Sequence, residues 1–169
     1  MQHKIVRKQY NSKLCFICGL KNNSGLQASF YEMENGVLVA TFVPTLEHQG
    51  YPGRLHGGIA SAILDETMGR AVIVGCEEEI WGVTVELNLT YKKVIPLGVE
   101  LRVVARISEQ NSRFFHGTGE ILLPSGEVAV VGRGKYLKAP LEKIADFDRV
   151  ENEWVVVQNE SDPESIEIP

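Results

Sequence analysis

The stretch that decides the fold is His56 to Gly75, which reads HGGIASAILDETMGRAVIVG. Its apolar residues recur at helical spacing and no proline interrupts them, so we predict a helix over roughly residues 57–75. Apolar residues cover much of its circumference, which is typical of a helix enclosed by other elements. The small residues in its first turns would let strands approach closely.

Segments with strand-like patterns lie on both sides of this helix. Six strands are predicted, at 26–34, 36–43, 81–94, 98–110, 112–123 and 126–138. Asn35-Gly36 between the first two is a strong hairpin signal. The later connections are too short for crossover helices, which makes the sheet antiparallel. We therefore predict an α+β domain in which an antiparallel curved sheet of about six strands wraps around one long central helix.

The composition limits the class of protein. The chain has 169 residues, 44% of them apolar and 23% charged, which suits one domain with a core. It contains no run of about 18 uncharged apolar residues, so we expect no membrane association, and no secretory signal is recognisable. Three cysteines are too few for a secreted disulfide scaffold, and a cytoplasmic protein is predicted.

The net charge of the chain changes sign after residue 139, from mildly basic to strongly acidic. Beyond it stand nine acids and two bases, and residues 158–169 lack apolar periodicity. We expect 140–169 to be an acidic C-terminal extension, partly disordered, and 1–139 to be the folded domain with an N-terminal lead-in. The domain contains fifteen basic and thirteen acidic residues, which give it a net charge of +2. That balance does not indicate nucleic-acid binding, but it would not repel a small polyanionic ligand.

Two places in the helical stretch are candidates for chemistry. At Arg54-Leu55-His56-Gly57-Gly58, two glycines at a helix start leave backbone N–H groups open to an anion or a polarised carbonyl oxygen. They could also simply let the helix begin close to the sheet. Asp65 lies inside the apolar stretch, where an unpaired buried carboxylate is costly, so it either faces solvent or has a function.

The pair Cys15-x-x-Cys18 is a weak indication of metal or redox chemistry. A zinc site needs four ligands, and a redox motif is expected at a helix start. No metal and no cofactor are predicted, and the role of the two cysteines stays open. Nucleophile elbows, phosphate-binding loops and dinucleotide fingerprints are absent from the sequence.

Together these motifs resemble hotdog-fold acyl-CoA thioesterases of the phenylacetyl-CoA thioesterase-like family. The resemblance covers about residues 14–139. It rests on His56-Gly57-Gly58, on Asp65 nine positions later, and on GVTVELNLTY at 82–91. The segment from Cys15 to Leu26 also resembles one branch of that family. The resemblance implies a hotdog fold and hydrolysis of acyl-CoA to free CoA and a carboxylic acid, with CoA entering only as part of the substrate.

The resemblance also implies roles for individual residues. The Gly57 N–H would bind the thioester carbonyl oxygen, Asp65 would act as general base or nucleophile, and Thr84 would position the water. Gln49 is the candidate amide for assisting at the carbonyl. The predicted substrate-binding set is Gln49, His56, Gly58 and Arg54, with Arg54 placed first among possible phosphate partners.

Helix geometry adds a constraint of its own. Eight residues separate Gly57 from Asp65, or about 12 Å along a helix. A reacting carbon needs each group within about 3–3.5 Å, so the two groups would have to come from different protomers. We therefore expect a homodimer, or a dimer of dimers, that is formed through the strand at 81–94 and contains two shared sites.

Two other functions stay open. A non-catalytic acyl-CoA binder or sensor would keep the groove without turnover, although no DNA-binding module is visible. A hotdog hydratase or dehydratase would need a histidine and an acid at one carbon, which His56 and Asp65 of a partner chain could supply. The acyl group is not given by the sequence.

Overall fold

The computed structural model describes residues 1–76, 80–146 and 148–169. Its strands and its helix are β1 (Gln2–Lys8), β2 (Ser29–Met33), β3 (Leu38–Phe42), α1 (Gly57–Arg70), β4 (Ile80–Tyr91), β5 (Leu101–Gln110), β6 (Phe114–Leu122), β7 (Val128–Pro140) and β8 (Ser165–Glu167). Short 3₁₀ turns lie at Leu46–His48, Ala71–Ile73 and Leu141–Lys143. Within these described ranges, no helix is long and apolar enough to cross a membrane.

The strands form one curved antiparallel sheet in the order β4-β7-β6-β5-β3-β2-β1-β8. It wraps around α1, whose Ile63, Leu64 and Met68 are fully buried. The predicted α+β architecture and its six strands are confirmed, and the Asn-Gly turn joins β2 to β3 as expected. The sheet has eight strands rather than about six, because β1 and β8 extend it beyond β2. The helix ends at Arg70, and a 3₁₀ turn continues it to Ile73.

Four glycines of β6 and β7 lie side by side in the sheet, and at three of them, Gly117, Gly119 and Gly132, a Cβ would crowd side chains of α1. This glycine patch comprises two cross-strand pairs, Gly117 with Gly134 and Gly119 with Gly132. A Cβ at Gly117 would lie 3.1 Å from the Cβ of Met68, and one at Gly119 would lie 3.0 Å from a methyl group of Leu64. Side chains there would push α1 away from the strands, so these glycines set the depth at which the helix packs.

The C-terminal segment packs on the domain, contrary to the expectation of disorder over 158–169. β8 pairs with β1 in antiparallel fashion, and Ile166 and Ile168 are only 6% and 2% exposed. Ile166 and Ile168 lie on either side of the exposed Glu167, so the buried side of this short segment is apolar while its exposed side is polar. The expectation that this segment lies outside the core is therefore wrong, and three residues of strand were too few to show a period.

We predict that Ile168→Ala lowers the free energy of unfolding by about 2–5 kcal/mol, because it leaves a cavity among buried side chains. Ile168 packs in a cluster with Tyr31, Met33 and Leu122. Urea unfolding measures the change. The control is Glu167→Ala at the exposed neighbouring position, which should stay within about 0.5 kcal/mol of wild type. Equal stability of the two variants would show that the segment contributes nothing to the core.

Candidate active site

The start of α1 presents an unused backbone donor. The Nδ1 atom of His56 accepts the Gly58 N–H at 2.9 Å, and the His56 carbonyl accepts the N–H groups of Ile59 and Ala60. Within the described part of the chain, the N–H of Gly57 has no hydrogen-bond acceptor. Gly57 is exposed and stands at the positive end of the helix dipole, so its N–H is available to a carbonyl oxygen.

Tyr91 of β4 fixes this first turn in place. Its hydroxyl donates to the Gly57 carbonyl at 2.7 Å and lies 2.7 Å from the Ser61 hydroxyl. Ser61 also donates to the Gly57 carbonyl, at 3.0 Å. The sequence analysis includes Tyr91 as the last residue of the strand motif 82–91 but assigns it no role. Its role at the helix start depends on where β4 passes α1, and no local pattern reports that.

Asp65 is held by two hydroxyl groups from the sheet. Thr84 of β4 donates to its two carboxylate oxygens at 2.9 and 3.0 Å. Tyr136 of β7 donates to Oδ1 at 3.1 Å, and Thr84 and Tyr136 are partners in the β4–β7 register. The structure therefore brings the predicted Asp65 and Thr84 together. Tyr136, which sequence reasoning missed, completes the arrangement.

The surroundings of Asp65 change its affinity for a proton. Burial raises the pKa of its carboxyl, and the nearby charge of Glu66 adds to the rise, while the hydrogen bonds from Thr84 and Tyr136 oppose it. The net effect is an upward shift, which makes the carboxylate a stronger base. Burial and the Asp65 charge also raise the pKa of Tyr136, so its hydroxyl remains a neutral donor.

Glu66, the next residue, has different partners. It accepts from the guanidinium of Arg70 at 2.8 Å, one turn along the helix, and Arg70 is only 3% exposed. Neutralising this buried cation is a structural task, since an unpaired buried charge would cost several kcal/mol. Two adjacent carboxylates thus lie in separate environments, and Asp65 alone touches the hydroxyls of the sheet.

A cavity of about 310 Å³ opens beside Gly57. Arg54, Lys92 and Lys93 contribute to its lining. Lys93 is paired with Glu127, whereas Arg54 and Lys92 have no ionic partner among the residues that the structure describes. Two unneutralised cations next to a helix N-terminus give this cavity a positive potential.

Gln49 lies in the loop that leads into the helix start. Its backbone pairs with Leu55, and its side-chain oxygen accepts the Gly53 N–H at 2.7 Å. The carbonyl end of the amide is therefore committed to the loop, which leaves the NH₂ group to donate elsewhere. Gln49 is near the helix start, as expected, but its part in binding stays a prediction.

Among the strands that the structure describes, β4 lies at the edge of the sheet and pairs with β7 alone. Val85 near its middle is 56% exposed, and Val83 is 37% exposed. An edge with apolar side chains and unpaired backbone groups is a surface that another chain can extend. This edge adjoins Thr84, so a second chain bound there would stand next to Asp65.

Comparison with known sequences finds similarity to thioesterases. Residues 52–130 match the sequence profile of the thioesterase superfamily. The mouse acyl-coenzyme A thioesterase THEM4 is 41% identical over 70 residues, which are 41% of this chain and 29% of that protein. The rat THEM4 is 36% identical over 83 residues, 48% of this chain and 34% of that protein. The chain thus spans about a third of the length of the curated relatives it matches.

Solved structures share the fold at lower identity. Thioesterase HI1161 of Haemophilus influenzae superposes with a TM-score of 0.64 at 18% identity, over 73% of this chain and 86% of that one. The Escherichia coli PaaI protein from the phenylacetic acid degradation operon gives 0.60 at 18% identity, over 68% and 80%. The sheet wrapped around α1 is therefore the hotdog fold, and the part of the chain that resembles the thioesterase superfamily in sequence, residues 52–130, contains α1 and strands β4 to β6.

Proposed function

We propose that the protein hydrolyses acyl-CoA thioesters to free CoA and a carboxylic acid. The observation that carries the proposal is the half-buried carboxylate of Asp65, held by Thr84 and Tyr136 on a helix whose first N–H is free. The superfamily match and the names of the curated relatives support the same class of reaction.

A working site needs two copies of the chain. α1 runs unbroken from Gly57 to Arg70, which puts Gly57 and Asp65 about 12 Å apart along one helix. We infer a twofold homodimer joined along the β4 edges. Gly57 of one protomer then faces the partner's Asp65, and the dimer holds two identical sites. The cytoplasm remains the proposed compartment.

The chemistry follows from what each group can do. The thioester carbonyl oxygen accepts the Gly57 N–H, and the negative charge that develops on it is stabilised there by about 3–4 kcal/mol. Asp65 takes a proton from a water molecule oriented by Thr84, and this water attacks the carbonyl carbon. Collapse of the tetrahedral intermediate expels the CoA thiolate. Arg54 and Lys92 supply positive charge for the phosphates of the CoA.

The two other functions differ in their products. A binder releases no CoA, and a hydratase changes the acyl chain while the thioester stays intact. His56 already uses Nδ1 to cap α1, which leaves a hydratase only Nε2 as its acid or base. Free CoA, measured with a thiol reagent over acetyl, palmitoyl and arylacetyl thioesters, distinguishes hydrolysis from both other functions, and mass analysis of the acyl-CoA recovered distinguishes a hydratase from a binder. Absence of release across this set would contradict hydrolysis.

We predict that Asp65→Asn lowers kcat by at least about 100-fold, because the amide cannot accept a proton from water. Binding of acyl-CoA and the melting temperature should change little, since the hydrogen bond from Thr84 can persist to the amide oxygen. The exposed Glu100→Gln is the control and should keep full turnover. Undiminished activity in Asp65→Asn would rule out this base.

We predict that Gly57→Pro lowers kcat by about 10²–10³-fold, because proline removes the N–H donor. Gly57 is the first helical residue, where proline is well tolerated, and His56 already has the extended backbone (φ −64°, ψ 134°) that proline requires before it. The matched control is Gly57→Ala, which keeps the N–H and whose Cβ would lie 3.6 Å from the Tyr91 ring.

Mixing the two inactive chains tests the shared site. Heterodimers of Gly57→Pro with Asp65→Asn chains contain one site with both defects and one intact site, so random mixing should restore about a quarter of wild-type turnover. A mixture that stays as inactive as its parents would place both groups of a site in one protomer.

We predict that Tyr136→Phe moves the acidic limb of the pH profile of kcat/KM to higher pH. The lost hydrogen bond lowers the pKa of Asp65, so without it the carboxylate forms only at higher pH. Tyr31→Phe is the control, since Tyr31 donates to a different carboxylate, Asp162, at 2.9 Å. An unchanged limb in Tyr136→Phe would mean that the limb reports another group.

A further inference from the structure

A second cluster of reactive side chains takes no part in the proposed hydrolysis. The sulfur atoms of Cys15 and Cys18 and a carboxylate oxygen of Glu66 all lie within 4.8 Å of one another. The guanidinium of Arg70 donates to the Cys18 sulfur at 3.1 Å and to Glu66 at 2.8 Å. We call these four residues the cysteine cluster.

The turn that carries the two cysteines brings their side chains together. The Gly19 N–H donates to the Cys15 carbonyl at 2.8 Å and closes a single helical turn. Residues three apart in such a turn are separated by about 5–6 Å, within the range that a disulfide spans. A Cβ at Gly19 would lie 2.4 Å from the Cys15 carbonyl oxygen, so the turn requires glycine at this position.

The two thiols have opposite surroundings. Cys15 is half-buried, and its sulfur accepts the N–H groups of Ile17 and Cys18 at 3.3 and 3.5 Å. The hydrogen bond from the Cys18 thiol, together with these N–H groups, lowers the pKa of Cys15 to about 7, against burial and the Glu66 charge. Cys18 is fully buried, and its bond to Cys15 and its burial raise its pKa. Cys15 is thus the nucleophile, and Cys18 keeps its proton.

The position of Arg70 favours thiol chemistry over metal binding. Its buried guanidinium already bonds the Cys18 sulfur and the Glu66 carboxylate, two of the three groups that could ligate an ion. A divalent cation at their common centre would lie beside this buried positive charge. Structural zinc takes four ligands, and the described residues bring three together here.

We propose that Cys15 and Cys18 form a redox-active dithiol that small-molecule disulfides oxidise. The Cys15 thiolate attacks one sulfur of the disulfide RSSR, which gives a mixed disulfide and releases RS⁻. Cys18 then loses its proton and attacks the Cys15 sulfur, so that the Cys15–Cys18 bond forms and a second RS⁻ leaves. The cysteine pair loses two electrons, RSSR gains them, and protonation yields two RSH.

The test follows the two cysteines in one peptide. The full chain is equilibrated in a series of buffers with increasing ratios of glutathione disulfide to glutathione, and the reaction is quenched with acid. The protein is then digested with trypsin, and the masses of the peptides are measured by mass spectrometry. Cleavage after lysine and arginine gives the peptide 14–21, LCFICGLK, with both cysteines, and the peptide 71–92 with Cys76 as an internal control. We expect peptide 14–21 to lose two hydrogens as the ratio rises and to regain them with dithiothreitol, whereas Cys76 can form only a mixed disulfide.

Variants and kinetics complete the test. Cys18→Ser should trap a glutathione adduct on Cys15, and alkylation of Cys15 by iodoacetamide should reach half its maximal rate near pH 7. Cys76→Ser should oxidise as wild type does. A wild-type peptide 14–21 that stays reduced, or that stops at the glutathione adduct, would overturn the proposal. Zinc that copurifies at one ion per chain and is lost in Cys15→Ser would overturn it as well.

Discussion

The close contact between α1 and the glycine patch is the constraint on which the rest of the structure depends. Side chains at Gly117 and Gly119 would meet Met68 and Leu64 at about 3 Å. The same closeness holds beside β4, where a Cβ at Gly82 would lie 2.9 Å from the Gly69 carbonyl oxygen. Only a helix this deep lets the short side chain of Asp65 reach hydroxyl groups on β4 and β7. The packing of the core therefore sets the geometry of the candidate site.

The neighbouring carboxylates of α1 show how that packing assigns separate tasks. Asp65 faces strands that offer neutral hydroxyls, and burial raises its pKa although the hydrogen bonds from these hydroxyls oppose the rise. Glu66 lies about 100° further around the helix and meets the guanidinium of Arg70. The helix thus places Asp65 directly before an ion pair, Glu66 with Arg70, that belongs to the cysteine cluster.

The sequence was informative where the signal was local, and less so where distant residues meet. The spacing of apolar residues within each segment predicts α1 and six strands. The family resemblance pointed to Gly57, Asp65 and Thr84. Tyr136 was missed because its contact with Asp65 depends on the register of β4 against β7. The same limit hid β8, which is three residues long and is held in the sheet by its pairing with the distant β1.

The short β8 has a consequence for how far the sheet can grow. It covers the first half of the β1 edge, Gln2 to Lys4, with three residues that follow the exposed Glu164 and end at the exposed Glu167, near Pro163 and Pro169. Such an edge is a poor template for a further strand, because prolines lack the N–H and like charges repel. At the opposite edge of the sheet, the β4 strands of the two protomers pair with each other in the proposed dimer. Growth of the sheet is then prevented at β4 and disfavoured over the part of β1 that β8 covers.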